Sequence, residues 1–297
     1  MPTRRIVFLG DVCSRAGRDA VVALLPGIRE RHRADFVVVN AENVAGGYGI
    51  NPTLCEELLA AGADCLTTGD HAFDRRDTWD YYNIQSRLLR PANYPPGAPG
   101  RGQALYGLDG WAVGVISLVG RVFMKPLDCP FRRVESCLEQ LGRQAQVLLV
   151  DFHAEATAEK QAMGWYLDGR VSAVVGTHTH VQTADERVLP GGTAYITDAG
   201  MCGAFDSVLG MRREDSLKRL LDGLPHRLTP ARGEPAVSGV VVEVDGETGR
   251  ATGIERLLVE FLPSDEDKPA GDDRASETRR DRDGPRALQD REQALES

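Results

Sequence analysis

Short apolar runs alternate along this chain with segments in which apolar residues recur every three to four positions. The first run covers residues 4–12, and the first helical segment covers 17–32. Continuous β-branched and aliphatic runs predict strands buried on both faces, whereas the longer period predicts helices. By the same criteria, strands are predicted at 35–43, 64–71, 147–153, 171–177 and 191–198, and helices at 52–62, 75–90, 131–141, 157–167 and 214–221.

Two later segments alternate with a period of two and predict β-hairpins. Residues 103–108 and 111–118 flank the turn Asp109-Gly110, and residues 237–244 precede a second strand at 251–261. A βαβαβα first half followed by hairpins and strand–helix units does not suit one parallel sheet or an all-β sandwich. We therefore predict an α/β fold with two mixed β-sheets flanked by helices.

The composition changes near residue 264. Residues 264–297 are rich in Asp, Glu, Arg, Pro and Gly and contain few aliphatic residues. Such a segment buries too little apolar area to offset its ordering entropy. We expect one domain over residues 1–263 and a charged, disordered tail over 264–297, with a short helix near 287–295.

Bulk properties limit the possible partners. The net charge is −9, and there is no apolar stretch of membrane-spanning length and no secretory leader. We expect a cytoplasmic protein without strong nucleic-acid binding, because nonspecific binding to nucleic acids depends on basic patches. The six cysteines are scattered without paired spacing, which predicts buried, reduced thiols.

The segment Val174-Val175-Gly176-Thr177-His178-Thr179-His180 carries the most informative chemistry. An apolar strand ends there at a glycine, directly before two histidines one residue apart. In extended backbone, residues i and i+2 point to the same side, so both imidazoles are expected to face one point beyond the strand. Open α/β sheets bind their ligands at this edge.

Other polar residues follow predicted strands in the same way. Carboxylates, an amide and imidazoles without cysteine form a donor set that suits a pair of iron or manganese ions, and such pairs catalyse phosphoryl transfer. The residues at these strand ends are Asp11, Glu42, Asn43, Asp70, His71, His153, His178 and His180.

Each of these residues also has an ordinary structural interpretation. Asp11 could cap the following helix, Glu42 with Asn43 and Asp70 with His71 could be turn residues, and His153 could be a core histidine. The glycine loop 46–49 lacks the spacing of a P-loop, and no dinucleotide fingerprint or Gly-x-Ser-x-Gly elbow is present. Cys13 is expected only to pack beside the site.

The order Gly-Asp, Glu-Asn, Gly-Asp-His, Phe-His and Gly-Thr-His-Thr-His resembles the calcineurin-like metallophosphoesterases. Further segments resemble the bacterial YmdB-like branch, over residues 4–261: Ala41-Glu42-Asn43, residues 89–93, Glu155-Ala156-Thr157 with Glu159-Lys160, Trp165, residues 174–185 and residues 197–201. The resemblance implies a four-layer α/β/β/α sandwich. It also implies a phosphodiesterase of 2′,3′-cyclic and, to some extent, 3′,5′-cyclic nucleotides.

The resemblance further implies the roles of the site residues. Asp11, Glu42, Asn43 and His180 would hold one metal ion, and Glu42 would bridge to a second. The second ion would also be held by three residues, Asp70, His153 and His178. A metal-held hydroxide would attack phosphorus while His71 protonates the leaving oxygen.

Two positions depart from the superfamily pattern. Cys13 stands where the superfamily has histidine, and Asn43 takes the place of that ligand. Asp70 stands where asparagine is usual. With two divalent ions (about +4), three carboxylates and a hydroxide, the formal charge sums to about zero, against about +1 with asparagine. This predicts weaker attraction of the phosphate unless one ion is Fe(III), paired with Fe(II) or Mn(II).

Candidate substrate contacts are Arg121 and Lys125, in an irregular segment, and Tyr48 beside the glycine loop. Two rival functions stay open at this point. One is a phosphatase or phosphodiesterase of the same fold with another phosphoester substrate, and the other is a non-catalytic regulatory protein that binds metal or nucleotide. The resemblance also suggests a homo-oligomer.

Overall fold

The computed structural model describes residues 3–142 and 144–262. In those ranges the strands are, in chain order, β1 (Thr3–Leu9), β2 (Asp11–Val12), β3 (Phe36–Asn40), β4 (Cys65–Thr67), β5 (Leu88–Leu89), β6 (Gln103–Leu108), β7 (Trp111–Val119), β8 (Val147–His153), β9 (Ala173–Thr177), β10 (Arg187–Val188), β11 (Ala194–Ile196), β12 (Met201–Ala204), β13 (Pro235–Asp245) and β14 (Ala251–Glu260). The helices of the same ranges are α1 (Ser14–His32), α2 (Pro52–Ala60), α3 (Tyr81–Ile84), α4 (Pro130–Leu141), α5 (Thr157–Tyr166) and α6 (Arg213–Asp222).

The strands form two mixed sheets. The first sheet has the order β2-β12-β13-β1-β3-β4-β5, with β14 paired to β13, and the second has the order β10-β11-β9-β8-β7-β6. Strand β1 is parallel to β3 but antiparallel to β13, and β8 is parallel to both β7 and β9. The predicted fold class and both predicted hairpins are confirmed.

Apolar side chains on alternating faces of the strands build separate cores. In β1, Ile6 and Phe8 pack between the two sheets, whereas Val7 and Leu9 pack with Leu25 of α1 on the outer face. A third core joins the outer face of the second sheet to α4 and α5. The order of layers is therefore helix, sheet, sheet, helix, which explains why the strands read as continuous apolar runs.

The helix predicted at 75–90 is wrong. The structure has a 3₁₀ turn at Arg76–Thr78, the short α3, and then β5. Strand β5 pairs with β4, where Leu66 lies opposite Leu88, and the two leucines of β5 are buried in different cores. Burial of Leu88 and Leu89 on opposite faces of a sheet requires extended backbone, so tertiary pairing overrides the local helical preference.

Several other boundaries shift by a few residues. The strands predicted at 35–43 and 64–71 end at Asn40 and Thr67, so the polar residues that follow lie in loops. The tail predicted at 264–297 lies outside the described residues. Among the described helices, none combines the length and apolar character needed to cross a bilayer. All six cysteines are free thiols, and all are buried except the partly exposed Cys129.

The gap between the sheets changes from apolar to polar toward the carboxyl ends of the strands. In β8, Val147 and Leu149 face this gap in the apolar core, and the next residues of the same face are Asp151 and His153. The fully buried Asp151 carboxylate accepts hydrogen bonds from Asn40 Nδ2 at 2.9 Å, Thr67 Oγ1 at 2.5 Å and Thr177 Oγ1 at 2.7 Å.

These bonds join the two sheets directly below the polar loops. The donors belong to β3, β4 and β9, so one side chain connects both sheets. Burial raises the pKa of Asp151. The nearby charge of His153 and the three hydrogen-bond donors oppose that rise. Loss of this carboxylate would leave several buried donors without a partner.

We predict that Asp151→Ala lowers the free energy of unfolding of the metal-free protein by about 3 kcal/mol. Urea denaturation followed by circular dichroism measures this change. Asp109→Ala is the matched control, because Asp109 is exposed in the turn between β6 and β7 and should change stability by less than about 0.5 kcal/mol. Equal stabilities of the two variants would contradict the role of Asp151.

Candidate metal centre

The polar residues predicted at strand ends converge above the gap between the sheets. Glu42, Asp70 and His71 follow strands of the first sheet, whereas His153 and His178 come from the second. The side chains of Glu42 and His153 lie against the backbone of Gly69. A Cβ added at Gly69 would lie 2.3 Å from Glu42 Oε2 and 2.2 Å from His153 Cδ2. Glycine before Asp70 is therefore a steric requirement of the site.

Four side chains form the densest part of the cluster. His153 Nε2 lies 2.9 Å from Glu42 Oε1, 3.2 Å from Asp70 Oδ1 and 3.0 Å from His178 Nδ1. One ligand atom from each of Glu42, Asp70, His153 and His178 lies within 4.8 Å of the others. Two carboxylates and two imidazoles at this separation can surround a single cation.

A second group lies directly beside the first. Asn43 Nδ2 is 3.2 Å from His180 Nε2 and also 3.2 Å from Glu42 Oε1, so Glu42 contacts both groups. Asp11 Oδ2 accepts a hydrogen bond from the amide of His178 at 2.9 Å. Asp11 Oδ1 is buried and has no hydrogen-bond partner within the described part of the chain. Such an oxygen needs a ligand, and a cation meets that need.

The two histidines after β9 are placed differently from the prediction based on extended backbone. Strand β9 ends at Thr177, and the φ angles of His178 and His180 are 96° and 63°, in the left-handed region. The two rings consequently reach different groups, that of His153 and that of Asn43. The expectation that both imidazoles face one point along an extended strand is wrong.

The charges of the cluster balance one another. Burial raises the pKa of Asp11 to about 7, against the opposing attraction of His153 and His180. Burial acts on Glu42 and Asp70 in the same direction, but His153 lowers the pKa of both below the ordinary value. His153 itself is disfavoured as a cation by burial, yet the carboxylates raise its pKa well above the ordinary value. Burial and the charge of His153 lower the pKa of His178 to about 4.

This balance shows that the buried carboxylates require a positive charge in their midst. The carboxylates favour a proton on His153, and a metal ion bound among them would supply positive charge in its place.

Hydrogen bonds orient the imidazoles of His153 and His178. His153 Nδ1 lies 2.9 Å from Thr177 Oγ1, whose hydroxyl donates to Asp151, so Nδ1 is the donor and Nε2 faces the cluster. His178 Nε2 lies 3.1 Å from Glu155 Oε2, which leaves Nδ1 toward the cluster. Second partners of this kind are typical of histidines that bind metals.

The other two imidazoles follow the same rule. His180 Nδ1 lies 3.1 Å from the carbonyl oxygen of Leu209, so Nε2 is directed toward Asn43. His71 Nδ1 lies 2.7 Å from Asp74 Oδ2. The amide of His71 also donates to Glu42 Oε2 at 3.4 Å, which places the backbone of His71 beside the cluster.

Three further residues contact site histidines but have no role predicted from the sequence: Glu155, Asp74 and Thr177. Glu155 and Asp74 lie two and three residues after a predicted site histidine, and this spacing was the available signal. Thr177 immediately precedes His178, but the partner of its hydroxyl comes from another strand. That contact could not be read from spacing.

The donor set fits hard or borderline metal ions. It contains carboxylate oxygens, imidazole nitrogens and one amide. Burial raises the pKa of the neighbouring Cys13 thiol to about 12, and the charges of Asp11 and Glu42 add to this effect. Cys13 Sγ faces Gly210, where an added Cβ would lie 2.4 Å from it, and the expected packing role of Cys13 stays a prediction.

Two of the three substrate-contact candidates lie at the cluster. The Tyr48 ring meets the His71 ring edge to face at 5.2 Å, and Lys125 Nζ donates to the carbonyl of Asp70 at 2.9 Å. Arg121 contributes a backbone contact, because its amide donates to the Glu159 carboxylate at 3.1 Å, and its side chain is exposed.

The chain is similar to known proteins in sequence and in structure. A family model described as YmdB-like protein matches residues 7–257. A Bacillus subtilis protein named 2′,3′-cyclic-nucleotide 2′-phosphodiesterase is 46% identical over 255 residues, which cover 86% of this chain and 97% of that protein.

Two solved structures have the same fold. A hypothetical protein from Thermus thermophilus is 41% identical, with a TM-score of 0.82 over 87% of this chain and 100% of the other. A novel phosphatase from Mycoplasma pneumoniae is 33% identical, with a TM-score of 0.83 over 89% of this chain and 96% of the other. Because the family model and these relatives each extend over most of its length, the chain belongs to the YmdB-like protein family.

Proposed function

We propose that this protein is a metal-dependent phosphodiesterase that hydrolyses 2′,3′-cyclic nucleotides to 3′-nucleotides. The observation that carries the proposal is the convergence of Glu42, Asp70, His153 and His178 within 4.8 Å of one another, with the amide of His71 bonded to Glu42. The activity named for the Bacillus subtilis relative supports the same substrate class.

The proposed centre holds two metal ions. Asp11, Glu42, Asn43 and His180 would hold one ion, and Glu42, Asp70, His153 and His178 would hold the other. The contacts of Glu42 Oε1 with His153 Nε2 at 2.9 Å and with Asn43 Nδ2 at 3.2 Å support a bridging role for this carboxylate. Iron and manganese suit the mixed oxygen and nitrogen donors. When bound, such ions supply Lewis acidity, which activates water and neutralises charge on the phosphate.

His71 is placed to act as the general acid. Asp74 accepts a hydrogen bond from Nδ1 at 2.7 Å, so Nε2 is the nitrogen available to carry a proton toward the substrate. Transfer of this proton to the departing 2′ oxygen leaves the phosphate on the 3′ oxygen.

The residues at the mouth of the centre would orient the nucleotide. Lys125 Nζ lies 4.0 Å from Asp74 Oδ1 and also contacts the carbonyl of Asp70, so a cation stands beside the general acid and the cluster. Tyr48 is half exposed and presents an aromatic surface next to His71. These positions favour contacts with the phosphate and with the ribose or base. The cytoplasmic location and self-association expected from the sequence stay predictions.

We predict that the Mn(II)-loaded protein hydrolyses 2′,3′-cyclic AMP with a kcat/KM at least about tenfold above that for 3′,5′-cyclic AMP or an aryl phosphodiester. Chromatography should identify 3′-AMP as the product, and chelation of the metal should abolish turnover. Faster hydrolysis of an aryl phosphomonoester would favour a phosphatase of the same fold. Nucleotide binding without turnover of any substrate would favour a regulatory protein.

We predict that His71→Ala lowers kcat by about a hundredfold, because the leaving oxygen loses its proton donor. Its metal content, measured by inductively coupled plasma mass spectrometry, should stay at the wild-type level. His153→Ala should instead lose bound metal, and His226→Ala, which changes a histidine outside the cluster, should alter neither property. Loss of metal from His71→Ala would reassign His71 as a ligand.

We predict that Asp70→Asn lowers the KM of the Mn(II)-loaded enzyme about fivefold, since one less negative charge faces the phosphate, and reduces the preference for iron over Mn(II). Kinetics of separately reconstituted iron and manganese forms measure both effects. Asp77→Asn carries the same change of charge at an exposed position and serves as the control. An unchanged KM and metal preference in Asp70→Asn would refute this account of the acidic ligand.

A further inference from the structure

The segment that carries both site histidines has a strained backbone. His178 and His180 have φ angles of 96° and 63°, a region that residues other than glycine adopt infrequently, with asparagine, aspartate and histidine the most tolerant of it. A residue in such a region costs about 1–3 kcal/mol and persists only where its surroundings hold it in place. Thr179 lies between the two histidines and is the residue through which the segment is held.

Asp198 binds Thr179 at two atoms. Asp198 Oδ2 accepts the Thr179 amide at 3.0 Å and the Thr179 hydroxyl at 2.6 Å. The other carboxylate oxygen accepts the amide of Gly200 at 2.8 Å. The carboxylate is fully buried, so these bonds are not in competition with bulk water.

Lys160 completes this arrangement from helix α5. Its Nζ lies 2.7 Å from Asp198 Oδ2 and donates to Thr179 Oγ1 at 3.2 Å, and the side chain is only 1% exposed. The Thr179 hydroxyl therefore accepts from the ammonium group and donates to the carboxylate. One threonine thus contacts both members of a buried ion pair.

The glycine of the Gly-Thr-His-Thr-His motif makes room for this contact. A Cβ added at Gly176 would lie 1.8 Å from the carbonyl oxygen of Thr197 and 3.1 Å from Lys160 Cδ. Glycine at this position lets the aliphatic part of Lys160 and the backbone of Thr197 lie directly against β9. The motif therefore encodes the support of the histidines as well as the histidines themselves.

A buried ion pair contributes little net stability to a fold. The cost of removing both charges from water is often as large as their attraction, and apolar replacements of similar size are often equally stable. Such a pair is better accounted for by specificity of geometry, and here the geometry is that of His178 and His180. In the described contacts Lys160 and Asp198 touch neither the cluster residues of the first sheet nor His71. The pair reaches the two histidines through Thr179, and Asp198 also holds the amide of Gly200, whose carbonyl accepts the amide of Asp11.

We propose that Lys160 and Asp198 are positioning residues that hold Thr179 and thereby aim His178 and His180 at the two halves of the metal centre. The proposal rests on the metal centre of the proposed function. It predicts that one buried pair controls the affinity of both metal ions, because the histidines on either side of Thr179 belong to different halves. Substitution of partners that orient metal ligands typically costs ten- to a hundredfold in affinity.

The test compares Thr179→Val with Thr179→Ser. Valine removes the hydroxyl at nearly constant shape and leaves the Lys160–Asp198 pair in place, whereas serine retains the hydroxyl. Isothermal titration of the metal-free proteins with Mn(II) should show affinity at least about tenfold weaker for both ions in Thr179→Val, and near wild type in Thr179→Ser. The melting temperature of metal-free Thr179→Val should fall by about 4–8 °C, since two partly buried hydrogen bonds are lost, one from Lys160 and one to Asp198.

A second comparison addresses the ion pair itself. Asp198→Asn leaves Lys160 buried without its counter-charge, and Lys160→Met combined with Asp198→Asn removes both charges. The double variant should recover melting temperature relative to Asp198→Asn but should not recover Mn(II) affinity. Electron paramagnetic resonance should also show loss of the signal of coupled Mn(II) ions.

Two results would overturn the proposal. One is wild-type Mn(II) affinity at both sites in Thr179→Val and in the double variant. The other is a loss of affinity that tracks the loss of melting temperature across all variants, which is the behaviour of a merely structural role. The proposed function fails separately, if the wild-type protein binds two Mn(II) ions with the expected affinity but hydrolyses no cyclic nucleotide.

Discussion

The buried carboxylates at the seam of the two sheets are the constraint on which this structure depends. Asp11 and Glu42 are fully buried, and Asp70 is largely shielded from solvent. Anions cannot be gathered in a medium of low polarity unless positive charge lies among them. In the protein alone, the carboxylates raise the pKa of His153 and so attract a proton to it. The proposed metal ions would supply the positive charge in the catalytic form. The surrounding fold holds these like charges together in spite of their repulsion.

The side chains of the site are oriented by hydrogen bonds to residues outside the site. Three histidines, His153, His178 and His180, each use one ring nitrogen for a contact with a hydroxyl, a carboxylate or a carbonyl and direct the other nitrogen inward. Two buried acids carry much of this support. Asp151 connects the sheets and holds Thr177 under His153, and Asp198 holds Thr179 between the other two histidines. The inner ligands are thus aimed by a polar network, since loops alone would leave them free to turn.

The sequence predicted the architecture because burial leaves a regular signature. Strands covered on both faces are apolar throughout, as in β1 and β8, and polar residues at their carboxyl ends mark the edge where open sheets place ligands. Prediction from the sequence failed where a local pattern competed with contacts between distant residues. Residues 75–90 have helical spacing, but Leu88 and Leu89 pair with β4 and are buried on both faces of the first sheet. The two-residue period placed His178 and His180 on one side, whereas their left-handed backbone separates them.

The sequence by itself determined the fold class, the donor types and the edge of the sheets at which Asp11, Glu42, Asp70 and His153 lie. Periodicity and residue chemistry are local properties, and each of these conclusions needs only local information. Tertiary structure alone decided which nitrogen of each histidine faces inward, which carboxylate touches both groups, and which buried pair holds Thr179. The contacts of Glu42 with His153 and of Asn43 with His180 join residues more than a hundred positions apart, and only the packing of one sheet against the other brings them together. The contacts around Thr179 join residues nearer in sequence, but they form only when helix α5 and the chain at Asp198 pack beside β9.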